Sequence, residues 1–407
     1  MKTVAIIGAG PSGIITALKL KEQFNNNIKV LLFEKNNRIG KKIIVSGNGK
    51  CNITNDNLDS LYIYNNDLAR KIVQKYTPIV LKEQLLKWGI FTKTDNESRV
   101  YPLTESSNTV MEMLLLQLNK SKVDVKVSTI VTKVEKQYDK YIIKTCCDGN
   151  NESYVADYVI FATGGKSSKV HGSNGEGYKL LESMGINITN VKPGLVGLKI
   201  SEKQISGLSG IRQKACVKLF ENNNCIYSEL GEIQFKNDGI SGIVVMNASS
   251  ILARMNYKLN VFIDFIPSLN YIEAVEKFNI ILNNNPNLNL EDLTHGILPK
   301  ALAIKLCNIL KKKNEFTLSS FIKLAKNYQV ELVDTYGFDA SQVSVGGVDV
   351  KEVLDTLELK KYKRLYIIGE LLDVDGLCGG YNMHFAFASG AVVSDDIYQK
   401  EVKKYEK

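Results

Sequence analysis

Residues 4–34 read VAIIGAGPSGIITALKLKEQFNNNIKVLLFE. An apolar run enters a glycine turn, an apolar-periodic stretch leaves it, and a second apolar run ends in an acid: strand, turn, helix, strand. The glycines at 8, 10 and 13 have the spacing of a dinucleotide-binding turn. Gly8 allows the sharp turn, Gly10 leaves a phosphate free to approach the backbone, and Gly13 lets the helix press on the sheet. Pro11 and Ser12 open the helix, whose free N–H groups would face the phosphates. Glu34 follows Gly13 by 21 residues, where a carboxylate can accept from both ribose hydroxyls. The strand, helix and acid together make this more than a chance G-x-G-x-x-G.

A chain of 407 residues predicts two or three domains, and 44% hydrophobic residues supply a sizeable core. Pro11 and the three glycines break up the opening apolar run, so it does not read as a signal peptide. No run reaches the length of a bilayer span, so no membrane partner is expected. Seven cysteines with no C-x-x-C pair argue against a disulfide framework and for the reducing cytoplasm. Three histidines, none in ligand spacing, predict no metal site. The formal charge of +9, with lysines at 311–313 and a basic run of Lys360, Lys361, Lys363 and Arg364, is compatible with a polyanionic partner or with a solvated surface.

Residues 38–55 (RIGKKIIVSGNGKCNITN) are too rich in Gly, Asn and Lys for a regular element. Residues 68–88 read as a helix interrupted at Pro78, and Ser107 as the cap of a helix running to about Asn119. Segments 123–131, 132–136 and 141–146 alternate like a small antiparallel meander, after which ADYVIFATGG is a buried strand entering a glycine turn. Residues 191–266 read as short strands, and about 270–325 as helices punctuated by Pro299 and capped near Thr317 and Ser319. KRLYIIGE then returns as a buried parallel strand, and a helix from Met383 to about Tyr398 follows.

No second fingerprint appears, so one dinucleotide is held tightly. The closing stretch LYIIGELLDVDGLCGGYNMHFAFASG, residues 365–390, indicates which one. Gly369 and Glu370 follow an apolar run and precede a Gly-Gly turn and a helix, which resembles the two-dinucleotide-fold flavoproteins, where such a strand returns beside the first unit and the next helix aims its positive N-terminus at the flavin pyrimidine. FAD, noncovalent, accounts for both ends of the chain. NAD(P)H is expected only as a transient reductant.

SGNGKCNITN (46–55), RVYP (99–102), ATGGKS (162–167), GSNGEGY (172–178), SVGGV (344–348) and GELLDVDGLCGGYN (369–382) resemble the BaiN/RdsA family of FAD-dependent oxidoreductases over nearly the whole chain. The resemblance implies an α/β protein with a Rossmann-like FAD-binding domain (1–190 and 337–407), an inserted β-barrel-like module (191–266 and 326–336) and a helical module (267–325). It implies further cofactor contacts at Lys35, Lys42, Ser46, Gly47, Asn52, Ala162, Thr163, Gly164, Asp375, Gly380, Tyr381 and Asn382. Two activities attach to the family: reduction of a uridine in large-subunit rRNA to dihydrouridine, and reduction of an enone in a 3-oxo steroid or bile-acid-like substrate. Both send a hydride from flavin N5 to an electron-poor carbon while an acid protonates its neighbour. A flavin-stabilised RNA-binding factor is the third reading. Oligomeric state is left open.

Cys51 and Cys378, both in glycine-rich loops, are the first candidates for that acid, against the alternative of small packing residues. His384 opens the last helix where the family often has Gln, so capping or contact stands beside acid catalysis. His171 sits in a glycine loop. Arg38, Lys41, Lys42 and Lys50 form a basic loop that could meet pyrophosphate or RNA phosphate; the family usually has Arg at the last of these. In ELGEIQFKNDGISG (229–242), Lys236, Asn237 and Asp238 replace the centre of a family stretch that carries a histidine.

Overall fold

The structure, a computed structural model, describes residues 1–25, 27–58 and 63–402. The chain divides into two compact units, Met1–Lys192 with Val343–Lys407, and Pro193–Gln342.

The first unit is built on five parallel strands in the order Leu365–Ile367, Tyr158–Phe161, Lys2–Ile7, Ile28–Phe33 and Asp124–Lys126. Nearly every residue of the three central strands is buried, because helices cover a parallel sheet on both faces. Val4 is in register with both Tyr158 and Val30. The helix Pro11–Gln23 and the closing helix Tyr381–Val402 pack together, and an ideal Cβ on Gly390 would lie 2.6 Å from Thr16 Oγ1. The two ends of the chain thus meet on one sheet.

Three local expectations shift. The segment expected as the first strand of the meander divides at Ser128: Asp124–Lys126 joins the parallel sheet, and Thr129–Gln137 pairs with Lys140–Cys147, which pairs with Asn150–Ala156. Ser106, not Ser107, occupies the cap position of its helix, while Ser107 Oγ donates to the Ile44 carbonyl at 2.7 Å. Inside 38–55, Lys41–Val45 is a short helix.

The second unit holds a seven-stranded antiparallel sheet in the order Tyr328–Val330, Asn260–Asp264, Arg212–Glu221, Asn224–Phe235, Gly239–Ser241, Leu198–Ile200 and Leu332–Thr335. The strands at the two ends of this order are separated in the chain by Glu331 alone, so the sheet has to curl back on itself. Leu302, Leu306 and Phe321 of the helical stretch share one buried cluster with Val217, Ile233 and Ile263 of the strands. Ile243–Arg254, read as part of the strand region, is a helix whose apolar residues are enclosed on most of its circumference. Among the described residues no helix is long and apolar enough to cross a membrane.

Candidate functional site

The glycine turn is shaped by close approach. Gly8 has φ +107°, and a Cβ there would lie 2.4 Å from the Ala162 carbonyl oxygen; one on Gly13 would lie 2.0 Å from the Gly8 carbonyl oxygen. The turn therefore sits directly against the strand end at Ala162–Thr163. Gly10 differs: its Cβ would meet nothing within 4 Å. The helix begins at Pro11 without a side-chain cap, so its first N–H groups face that open space.

Glu34 is buried at the end of its strand. Its Oε2 accepts from the Ala9 N–H at 3.1 Å, and its Oε1 from the Asn36 N–H at 2.9 Å and the Asn36 amide at 2.6 Å. A carboxylate offers about four acceptor directions, so Oε2 retains capacity for a hydroxyl. Lys35 turns away to Asn174 and Glu176, at 2.7 and 2.8 Å.

The C-terminal motif closes on the same turn. A Cβ on Gly369 would lie 2.8 Å from Ser12 Oγ, and the Gly369 N–H donates to Ser389 Oγ at 3.0 Å. Glu370 ion-pairs with Lys42 and accepts from the Ser344 N–H at 2.9 Å. Ser344 Oγ in turn accepts from the Lys166 N–H at 2.7 Å and the Ser167 N–H at 3.1 Å. Four places scattered along the chain (Lys42, residues 165–167, Ser344 and Glu370) thus form one polar knot. Ser344 has no assigned role in the sequence reading, although its SVGGV setting marks it.

The glycine-rich stretch 46–55 is held by Ser46 Oγ on the Ile43 carbonyl at 2.7 Å and by Cys51 N–H on the Ser46 carbonyl at 3.0 Å. Gly47 and Asn52 touch, and Gly380 packs on Asn52 and Thr54, where a Cβ would come within 2.6 and 2.5 Å of their oxygens. Asp375 is buried, its backbone paired with Asn65. Asn382 folds back on the Gly376 backbone, accepting and donating at 2.8 Å. The Tyr381 hydroxyl donates to the Asn57 carbonyl at 3.1 Å. Asn382 thus holds the Gly376–Gly380 loop, and Tyr381 ties the start of the helix to Asn57.

The three candidate acids differ sharply. Cys51 is fully enclosed, and burial pushes its thiol up to about 11, outweighing a hydrogen bond with Ser46 that acts the other way. Cys378 is half-buried in the Gly376–Gly380 loop. His384 is completely buried; Nε2 lies 2.7 Å from the Tyr76 carbonyl oxygen and Nδ1 lies 2.5 Å from Thr54 Oγ1. Burial holds its pKa down to about 4, against the smaller opposing effect of the Tyr76 carbonyl, so the ring is neutral at pH 7. Neither nitrogen is free. His171 bonds Ser168 at 2.6 Å.

Two of the four basic-loop residues are matched by acid. Besides Lys42 with Glu370, Lys50 pairs with Glu105 at 2.7 Å and Lys93 joins the same carboxylate at 2.6 Å; hydrogen bonds from the two amines hold Glu105 down to about 2. Lys41 bonds Asn36 at 3.0 Å. Arg38 and Lys50 are the exposed members of this set, and Lys41 and Lys42 are half-buried.

The cradle fits a flavin dinucleotide by its own chemistry. Asn52 Oδ1 and Thr163 Oγ1 are buried oxygens with no hydrogen-bond partner in the protein, and the space over Gly10 is open. Buried polar atoms are rarely left so unless a ligand or water completes them. Among the described residues no group of three His, Cys, Asp or Glu is placed to hold a metal ion.

The HI0933-like protein Rossmann domain family matches residues 2–396. The chain is 34% identical to the 3-dehydro-bile acid delta(4,6)-reductase of Clostridium scindens, over 96% of this chain and 97% of the relative. It is 27% identical to the ribosomal RNA dihydrouridine synthase of Escherichia coli, again over 96% and 97%. The 3-ketosteroid delta1-dehydrogenase of Sterolibacterium denitrificans has a similar fold, with TM-score 0.51 at 12% identity over 98% of this chain and 100% of that one. The chain belongs to the HI0933-like family, the BaiN/RdsA group of flavoprotein oxidoreductases that its motifs resemble.

Proposed function

We propose that this chain binds FAD noncovalently and reduces a carbon–carbon double bond conjugated to a carbonyl, with a uridine of large-subunit rRNA as substrate and NAD(P)H as a transient reductant. The observation that carries the cofactor assignment is the meeting of Ser12, Gly369, Glu370 and Lys42 beside an open, uncapped helix start. Gly10 and the helix N–H groups would take the pyrophosphate, Glu34 the ribose, Glu370 a flavin-side hydroxyl, and Asn52 and Thr163 the remaining polar edges. When bound, FAD supplies the hydride. Cys378 is the first group to test as proton donor, because Cys51 is enclosed and His384 has no free nitrogen.

The RNA substrate is supported by the +9 charge, most of it on the first unit, and by full-length similarity to two ribosomal RNA dihydrouridine synthases. A bile-acid-like enone is favoured instead by the 34% identity to the Clostridium scindens reductase and by the acid matching of Lys42 and Lys50. The test is mass spectrometry of rRNA nucleosides from cells lacking the gene, beside purified enzyme given an enone bile acid and NAD(P)H. Loss of one dihydrouridine, restored by the gene, supports the RNA substrate. Unchanged rRNA together with turnover of the enone replaces it with the small-molecule reading, and a flavin that NAD(P)H never bleaches leaves the binding-factor reading.

A further inference from the structure

His384 lies in the first turn of the closing helix, its N–H donating to the Gly380 carbonyl at 2.9 Å. A backbone carbonyl can only accept, so the 2.7 Å contact to Tyr76 assigns the ring hydrogen to Nε2. Nδ1 is then a bare acceptor, and the Thr54 hydroxyl 2.5 Å away has to be the donor. Thr54 is as deeply buried as the imidazole, and the Asn55 carbonyl, 3.5 Å from its hydroxyl, is a much poorer acceptor than the ring nitrogen.

This one ring ties three segments. Thr54 lies near the end of the glycine-rich stretch 46–55, which has no ladder of its own beyond the two-residue pairing of Thr54 and Asn55 with Val100 and Arg99. Tyr76 follows the helix Asp67–Lys75. His384 starts the closing helix, just after the loop in which Gly379 accepts from Asn55 at 3.1 Å and Gly380 abuts Asn52. The segments that meet at the imidazole are those carrying Asn52, with its unpartnered Oδ1, and the N-terminus of the closing helix.

We propose that His384 is a positioning residue: acting through Thr54, it holds Asn52 and the start of the closing helix in place for the flavin and transfers no proton to substrate. The proposal rests on the FAD reading above. A leucine fills a similar volume but strands the Thr54 hydroxyl and the Tyr76 carbonyl inside the protein, and the easiest relief is movement of the stretch that carries Asn52. Glutamine offers one donor and one acceptor at similar reach and preserves both bonds.

The test uses purified holoenzymes of wild type, His384→Gln, His384→Leu and Thr54→Val, the last removing only the hydroxyl. Readouts are the rate of FAD release on dilution, the resolution of the visible flavin bands, and the thermal midpoint of the flavin-free protein. His384→Gln should release FAD within about twofold of wild type; Thr54→Val and His384→Leu should release it about tenfold faster, with blurred bands. The Thr54→Val, His384→Leu double variant should fall no further than His384→Leu, because both changes break the same tie. Thr54→Val with unaltered FAD release and spectrum would overturn the proposal, as would a His384→Gln enzyme with normal flavin binding but no substrate reduction. Wild type lacking flavin would fail the FAD reading itself, a separate and visible result.

Discussion

Acidification should destabilise the first unit through His384. Its ordinary pKa of 6.5 falls to about 4 in the folded protein, chiefly because burial penalises the charged ring. Between those values the unfolded chain binds the proton and the folded chain does not, so stability rises with pH across the window. The contribution is complete above pH 6.5 and is lost progressively as pH falls toward 4. A gap of about 2.5 units corresponds to about 3 kcal/mol, a sizeable part of an ordinary domain's stability of about 5–15 kcal/mol. The assay is urea denaturation at a series of pH values, followed by fluorescence of Trp88, the chain's single tryptophan, which is buried in this unit and donates its indole N–H to Glu22. Carboxylates titrate in the same range, so the comparison is with His384→Gln, which offers one donor and one acceptor in place of the ring and removes the titration. The wild-type curve should fall more steeply, the two diverging by up to about 3 kcal/mol at the acid end. Parallel curves would refute the reasoning.

Other outcomes follow from the same geometry. Gly10→Val should fold but lose flavin, since its side chain enters open space, whereas Gly13→Ala should lower the thermal midpoint by several degrees because its Cβ would meet the Gly8 carbonyl at 2.0 Å; equal flavin content and equal melting in the two variants would contradict this. Cys51, buried with its thiol pushed up to about 11, should react with iodoacetamide far more slowly than exposed Cys225, as peptide mass spectrometry can measure. Cys378→Ala should slow product formation far more than flavin reduction by NAD(P)H, and equal slowing of both steps would remove it as the proton donor. Glu105→Gln should free Lys50 and Lys93 and steepen the salt dependence of RNA binding by up to about two units of log–log slope; an unchanged slope would put the RNA elsewhere.

The opening βαβ unit was legible because its signals are local: glycine spacing, apolar runs and a terminal acid lie within residues 4–34. The return strand 365–367 and the closing helix carried equally local signals, and motif resemblance supplied the family. Alternation could not tell which sheet a strand joins, so 123–131 read as one strand although Asp124–Lys126 and Thr129–Gln137 pair in different sheets. Nor could it separate the helix Ile243–Arg254 from a strand, because enclosure on most sides erases the amphipathic period. The chemistry of charged and titratable groups depended on partners far away in the chain. Lys42 meets Glu370, Lys50 meets Glu105, and His384 meets Thr54 and Tyr76, pairs separated by 328, 55, 330 and 308 residues. A residue type announces what a side chain can do, and local spacing announces the turn or helix that carries it. Whether a lysine is free to meet a phosphate, or an imidazole to give a proton, is settled by desolvation and by the hydrogen-bond partner that folding brings to it.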